Sequence, residues 1–323
     1  MDLKNKPKLS VDSQIYDFMS KKKIKFTIMS KEEAKHFLTY NSYLFKIKAY
    51  AKNYSKNPDQ TYINLEFAYL VDLSIIDMHL RKCIVKICLD IEHLLKTKLL
   101  RDFNNDDCDG YSIVDDFLKT NPRLKTRLEQ DIHNINQKSY TAKDNILEKY
   151  GINLSIWNFI EIIEFGNFIN FCEYYYKKYP NTKFDEIKHM LWSAKCLRNS
   201  SAHNNCLINN LNVFPHFYPN FKIKEYLNKS TNLSKRSINK KLKTPFIFDF
   251  IAILLLFDNL CSSKKMKFNT YKEIIKLFNK RIKKNISYYQ TNTLLKSSYE
   301  FVVLFLIFIV RNRHKISWLY IKI

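Results

Sequence analysis

Leu197-Arg198-Asn199-Ser200-Ser201-Ala202-His203-Asn204-Asn205 places a permanent cation, several amides and one titratable imidazole within nine residues. Apolar positions around it recur with the period of a helix, and the spacing predicts an amphipathic helix from about Ile187 to Leu211. At about 100° per residue, Ile187, Met190, Leu191, Ala194, Ser201, Ala202 and Ile208 share one stripe, an ordinary core face. Trp192, Cys196, Asn199, His203 and Asn210 run down the opposite side. Asn199 and His203 are then neighbours one turn apart, while Arg198 stands about 140° round from His203 and must reach across. A helix with two useful faces packs on both, so a partner helix or a second subunit is expected on the His203 side. The competing reading is a core helix with a polar C-terminal turn, in which His203 caps the last carbonyls.

Composition narrows the class. The chain has 323 residues, 46% of them hydrophobic, enough for one large domain or two ordinary ones. Three glycines and seven prolines leave few turn-makers, which points to a mainly helical protein. Lys and Arg outnumber Asp and Glu by 54 to 31, a net charge of +23. So large an excess repels itself unless a polyanion meets it, so RNA, DNA or an anionic membrane surface is the expected partner. A lysine-rich bias with no partner is the alternative, but such bias ordinarily brings glutamate with it and here does not. The seven cysteines, at 83, 88, 108, 172, 196, 206 and 261, form no CxxC pair and no cysteine–histidine cluster at metal spacing. They read as reduced core thiols of a cytoplasmic protein, with neither metal nor cofactor expected. Met1 to Ser13 is polar and lacks the apolar run of a secretion signal.

From the N-terminus, a helix around Gln14 to Ser20 and the basic run Lys21, Lys22, Lys23, Lys25 precede Ser30-Lys31-Glu32-Glu33. The latter is a capping-box signature for a helix with Ala34, Phe37 and Leu38 on one face. Tyr40 to Tyr50 is dense in aromatics and lysines, a composition that suits RNA but more often packs, and packing is the expectation. Leu65 to about Phe103 is helical throughout, a long core helix or a kinked pair, with Leu73, Ile76, Leu80, Ile84, Ile87, Ile91, Leu94 and Leu95 as its stripe. Asp77 and Arg81 within it read as a solvated i, i+4 ion pair. Asn104 to Gly110 is a loop, and residues 111 to 150 hold shorter helices broken at Asn121-Pro122 and closed at Gly151. Leu154 to Lys178 reads as one helix, ended by Pro180 and paired antiparallel with the helix of Arg198 and His203. Gly166 inside it predicts the close approach of another backbone.

The succession Trp157, Glu161, Phe165-Gly166 and then Leu197-Arg198-Asn199-Ser200-Ser201-Ala202-His203-Asn204-Asn205 resembles the Abi-like abortive-infection family of bacterial phage-defence proteins, of the AbiD and AbiF kind. Gln14, Leu38, Asn41-Ser42-Tyr43 and Tyr50 resemble the family's N-terminal pattern, with Ser42 where a second aromatic is expected. Asp77-Met78-His79-Leu80-Arg81 with Ile91-Glu92 resembles the helix that follows, and the similarity runs from about residue 10 to 285. The family is assigned to the HEPN superfamily, marked by Arg-x4-6-His. Arg127 and His133 also fit that mark by chance. Asn199, Ala202 and Asn204 and the preceding Trp-Glu-Phe-Gly helix set Arg198 and His203 apart.

The resemblance implies an all-α, HEPN-like helical bundle with additional N-terminal and C-terminal helices. Its Abi-like domain would span 10–215, with the HEPN core at about 65–215, and a basic helical extension over 216–323 would pack on that core. It also implies metal-independent RNA cleavage by a homodimer that joins two motifs in one composite site. The residue types suit this chemistry. His203, as general acid/base, takes the proton from a ribose 2′-OH, and the freed oxygen attacks the adjacent phosphate. Arg198 holds the phosphate and stabilises the charge that develops on it. Asn199 orients the ring or binds a phosphate oxygen, with Asn204 in support. The substrate would be single-stranded or looped RNA and the products a 2′,3′-cyclic phosphate and a 5′-hydroxyl. Glu161 either orients Arg198 or His203 from the neighbouring helix or is a surface carboxylate. The alternative function is a non-catalytic RNA-binding protein of the same fold, holding a small non-coding RNA.

Beyond the motif, Asn228 to Thr244 is polar and basic. Its Lys235, Arg236, Lys240, Lys241 and Lys243 make an RNA-gripping loop or a solvated linker, and the overall charge favours the first. Phe246 to Leu260 is too short to span a bilayer and reads as a buried helix. Residues 270 to 286 form a basic amphipathic helix that lies on RNA, on a membrane surface or on the core. Phe301 to Val310 is apolar throughout and followed by Arg311, Arg313, His314 and Lys315. With Lys296 and Glu300 just before it, it reads as a core or dimer-contact helix, without stable membrane insertion.

Overall fold

The Glu33 N–H donates to the Ser30 hydroxyl and the Ser30 N–H to the Glu33 carboxylate at 2.7 Å, so the expected capping box starts helix α1 (Lys31–Tyr40). The computed structural model describes residues 8–135 and 141–313. The first seven residues of the N-terminal arm, and His314 and Lys315 of the basic flank, lie outside them. After α1 come α2 (Leu44–Ala49), α3 (Phe67–Phe103), α4 (Ser112–Thr120), α5 (Pro122–His133), α6 (Ala142–Tyr150), α7 (Ile156–Ile162) and α8 (Phe165–Lys178). The second half holds α9 (Thr182–Ala202), α10 (Phe221–Ser230), α11 (Lys235–Lys241), α12 (Pro245–Leu260), α13 (Lys264–Lys276) and α14 (Thr293–Phe308). The fold is all-α: among the described residues there is no strand, only two isolated bridges.

Helix α3 runs unbroken for 37 residues. Its buried Leu73, Ile76, Leu80, Ile84, Ile87, Ile91, Leu95 and Leu99 recur every three or four positions, the stripe expected of a core helix. The described residues of Met1–Ile87, Leu197–Ala252 and Ser263–Ile323 form one compact unit, and those of Cys88–Cys196 and Ile253–Ser262 a second.

In the second unit, Phe117, Phe159 and Phe171 meet edge to face at 5.1 to 5.9 Å. The stretch expected as one helix from Leu154 to Lys178 is two, because Ile163 and Glu164 are extended, with ψ of 151° and 150°. Phe159, Ile160, Ile162, Ile163 and Phe165 are all buried, a set too wide for one helical stripe, and the extended pair lets each turn inward. Helices α8 and α9 then form the expected antiparallel pair. Tyr176, late in α8, stacks on Phe184, early in α9, with centroids 4.0 Å apart. A Cβ on Gly166, at the start of α8, would lie 3.4 Å from Lys195 Cε, late in α9. The glycine thus faces a lysine side chain, not the backbone predicted for it.

In the first unit, Asp72 of α3 is buried and binds three side chains: Arg281 Nη2 at 2.7 Å, Asn285 Nδ2 at 2.8 Å and the Tyr289 hydroxyl. That grip explains why residues 270 to 286 are not one continuous helix. Helix α13 gives way to a wide turn over Leu277–Ile282 and a tight one over Lys283–Tyr289, and Asn285 leaves helical geometry (φ −120°, ψ 40°). Helix α12 is buried along most of its length, as expected. Phe301, Val302, Val303, Phe305, Leu306, Ile309 and Val310 are also buried, whereas Leu304 is 44% exposed. Thr293–Arg311 is long and apolar enough to cross a membrane, with half of its apolar window buried within the protein.

Gly110 sits at φ +80°, where a Cβ would lie 3.0 Å from Phe103 Cζ and 3.3 Å from Trp157 Cζ3. Gly110→Ala is expected to cost about 1–3 kcal/mol through backbone strain and this clash. The measurement is the urea midpoint, which should fall with an unchanged slope.

Candidate functional site

Helix α9 ends at Ala202, short of the Leu211 expected from its periodicity. The reason lies in the backbone. Asn204 takes φ +56°, the Asn205 N–H donates to Ser200 O at 2.8 Å, and the Asn204 N–H donates to Ser201 O at 3.1 Å. These are the two bonds of a Schellman closure, with asparagine rather than glycine in the left-handed position. Asn204 therefore has a structural task through its main chain. His203 is the capping residue, and its N–H donates to Asn199 O at 2.9 Å. The helix thus ends in a polar C-terminal turn, closed by main-chain N–H groups and, among the described residues, by no bond from the His203 imidazole.

The chain leaving this cap is held by Asp77. The Leu207 and Ile208 N–H groups both donate to Asp77 Oδ1 at 2.9 Å. Oδ2 accepts from the Tyr50 hydroxyl at 2.9 Å and from Arg81 Nη1. The same Nη1 lies 3.5 Å from Asn205 O, the residue that closes the helix. Asp77 and Arg81 are 0% and 5% exposed, so the pair expected to be solvated is buried. Burial pushes the Asp77 carboxyl above its ordinary value, and the surrounding hydrogen bonds and Arg81 pull against that shift. Asn53, also buried, continues the strap: its Nδ2 donates to Ile208 O at 2.9 Å and its Oδ1 accepts from the Leu211 N–H at 2.7 Å. The motif itself points to neither Asp77 nor Asn53; the visible signal for Asp77 is a carboxylate placed beside an apolar stripe.

On that scaffold Arg198 is half-buried and its Nη1 donates to Asn199 Oδ1 at 3.1 Å. No carboxylate pairs with Arg198 among the described residues. Arg127, the chance match to the same spacing, does have one, Glu164 at 2.8 Å. His203 is exposed, and no hydrogen bond joins its imidazole to Arg198 or Asn199. Of the line expected to share its face, Trp192 and Cys196 are exposed while Asn199 and Asn210 are half-buried. Glu161 belongs to the second unit, where it is exposed and pairs with Lys96 at 3.5 Å.

The basic stretch after Asn228 is helix α11, capped by Ser234, and not a loop. Lys235, Arg236 and Lys240 are exposed and Lys243 is half-buried. Lys241 departs from the expectation: it is 5% exposed and donates to the Ser297 and Ser298 hydroxyls at 2.7 and 2.8 Å. Its ammonium cannot face a nucleic acid there, and burial pushes its pKa down to about 8. Tyr40, Tyr43 and Phe45, expected to pack, are instead 75%, 60% and 82% exposed, while Ile47 and Tyr50 do pack.

Chemically, the end of α9 combines a cation without a carboxylate, an amide bonded to it and an open imidazole. The last carbonyls of a helix carry partial negative charge, so an anion rests there only beside a compensating cation. Arg198 is that cation.

Residues 36–209, more than half of the chain, match the family model described as Abi-like protein. No curated protein and no solved structure matches the chain.

Asp77→Ala should strip the strap of its acceptor and leave Arg81 buried without its partner, a loss of about 3–5 kcal/mol. A urea titration of parent and variant measures it; a loss below about 1 kcal/mol would contradict the buried network. Lys241 gives a pH-dependent expectation. With a folded-state pKa of about 8 against roughly 10.4 unfolded, the unfolded state binds more protons between these limits. Stability therefore rises with pH across that window. Lys241→Met removes this contribution, so the stability of the parent should rise relative to that of the variant as pH climbs through the same window, read by denaturation at matched ionic strength.

Proposed function

The chain belongs to the Abi-like protein family, and on that premise we propose that it is a metal-independent HEPN endoribonuclease acting in abortive infection, the defence of bacteria against phage. The observation that carries this reading is the contrast among arginines. Arg81 and Arg127 each hold a carboxylate, whereas Arg198 is half-buried, binds among the described residues only the neutral Asn199 and stands five positions from the exposed His203. A guanidinium left without an anion in the folded protein is suited to receive one.

His203 takes the proton of a ribose 2′-OH as general base, and the oxygen attacks the neighbouring phosphorus. The bond from phosphorus to the 5′ oxygen breaks, and the departing oxygen is protonated by imidazolium. In a homodimer two such histidines meet, one taking the proton and the other supplying it. Arg198 neutralises the charge that builds on the non-bridging oxygens. The net charge of +23 supports a polyanionic substrate, and exposed Lys235, Arg236 and Lys240 supply further cations.

The competing reading is an RNA-binding protein that does not cut, and it is supported by the absence, among the described residues, of a hydrogen bond orienting the His203 imidazole. Purified protein and His203→Ala, incubated with mixed cellular RNA in EDTA, separate the two. Fragments ending in cyclic phosphates from the parent alone are the expected result, with a loss of at least about 100-fold in the variant, the scale of a lost acid–base group. RNA bound by both proteins and cut by neither would overturn the nuclease.

A further inference from the structure

We propose that Phe45 and Tyr43 form a base-stacking subsite for single-stranded RNA beside the Arg198–His203 end of helix α9. This subsite rests on the reading of that end as an RNA-cleaving site.

Helix α2 turns two residues inward and leaves two rings out. Ile47 and Tyr50 are fully buried, and Tyr50 donates to the same Asp77 carboxylate that holds Leu207 and Ile208. Phe45 is 82% exposed and Tyr43 60% exposed, and neither ring stacks on another ring among the described residues. Their backbone is fixed beside the motif: Cys206, three residues past His203, points its Sγ–H at Lys46 O, 3.8 Å away. The backbone that carries the two exposed rings therefore lies beside the chain that leaves the α9 cap, within one compact unit.

Charge selects the occupant. Residues 34–58 contain five lysines, at 35, 46, 48, 52 and 56, and no carboxylate; Lys35 pairs with Asp12 at 2.7 Å, and Lys46, Lys52 and Lys56 make no ion pair with a carboxylate among the described residues. Lys48 and Lys52 are exposed on either side of the buried Tyr50. A second copy of the chain laid on this face would bring the same lysines against themselves, which like-charge repulsion opposes. A single-stranded polynucleotide suits both features, since every unpaired base offers a face to an aromatic ring and every phosphate a charge to a lysine. In a duplex the bases are stacked already and cannot reach the rings.

Binding is measured by fluorescence anisotropy with a labelled RNA of roughly 12 nucleotides, single-stranded or annealed to its complement, within the size such grooves cover. All proteins carry His203→Ala so that the probe survives. Phe45→Ala should weaken single-strand binding by about 5- to 100-fold, the yield of one stacked base, and leave duplex binding unchanged. Phe45→Trp should restore it, and thermal melting should show each variant folded. Equal single-strand affinity for Phe45→Ala and its parent would overturn the subsite, as would a change of oligomeric state with RNA affinity intact. RNA cleavage by the protein with native His203 is scored separately. Cleavage with no effect of Phe45→Ala on binding removes the subsite alone. Single-strand binding that depends on Phe45 without any cleavage removes the nuclease alone, and no RNA binding removes both.

Discussion

A carboxylate cut off from solvent must be surrounded by donors, and Asp77 is surrounded by four: the Leu207 and Ile208 amides, the Tyr50 hydroxyl and the Arg81 guanidinium. Moving such a charge out of water costs several kcal/mol, and a hydrogen bond to a charged group returns about 1.5–3 kcal/mol, so the balance closes only with most of the donors in place. That all-or-none character makes the residue a register device. Tyr50 lies 27 positions before Asp77 in sequence and Leu207 lies 130 after it. Slipping the strap by one residue would present the wrong amides to Oδ1 and leave one of them unpaired. The position of the strap, and with it of the cap at His203–Asn204, is thereby tied to a single point on α3.

Asp72 works in the same way on another side of the same helix. Five residues separate it from Asp77, about 140° of rotation, so the two carboxylates serve different neighbours. One gathers Tyr50 and the strap, and the other gathers Arg281, Asn285 and Tyr289. The apolar stripe of α3 supplies the cohesion of the first unit, but it does not discriminate between nearby alignments, since one leucine contact resembles another. The two buried carboxylates supply that discrimination. Lys241 is the cationic counterpart, held by two serine hydroxyls, with burial lowering its pKa to about 8 and the more distant charge of Glu300 opposing that shift.

How much of this was legible in the sequence depended on the kind of signal. Local rules worked: the Ser30–Glu33 box, the break at Asn121-Pro122 and the stripe of α3 all follow from spacing within one turn or one helix. Periodicity overruns the end of α9 because apolar positions continue through Ile208 and Leu211, both buried, although by then the chain is no longer helical. The two asparagines at 204 and 205 were the available stop signal, since asparagine tolerates the left-handed turn. The same limit applies to Asp77 and Arg81, whose spacing describes a surface pair and a buried pair equally well. Only contacts more than a hundred residues away decide between them. Phe45 failed in the opposite direction, because composition says that an aromatic among lysines packs and only the tertiary surroundings show that nothing covers it.

The arginines of this chain show why residue type alone does not define a site. Arg81 is buried with Asp77, Arg127 is neutralised by Glu164 and Arg281 is bound to Asp72. Each of these has a structural partner that an incoming phosphate would have to displace. Arg198 has none among the described residues, and its one bond there, to Asn199, uses a neutral acceptor that an anion outcompetes. The cost of holding a half-buried cation in this state is met by the rest of the fold, through a helix end that offers partial negative charge and a strap locked by Asp77. A protein that needed Arg198 only for stability would gain by placing a carboxylate beside it. The surplus of cations over carboxylates extends from this one residue to the whole chain, and at both scales it is the charge that the proposed RNA substrate would neutralise.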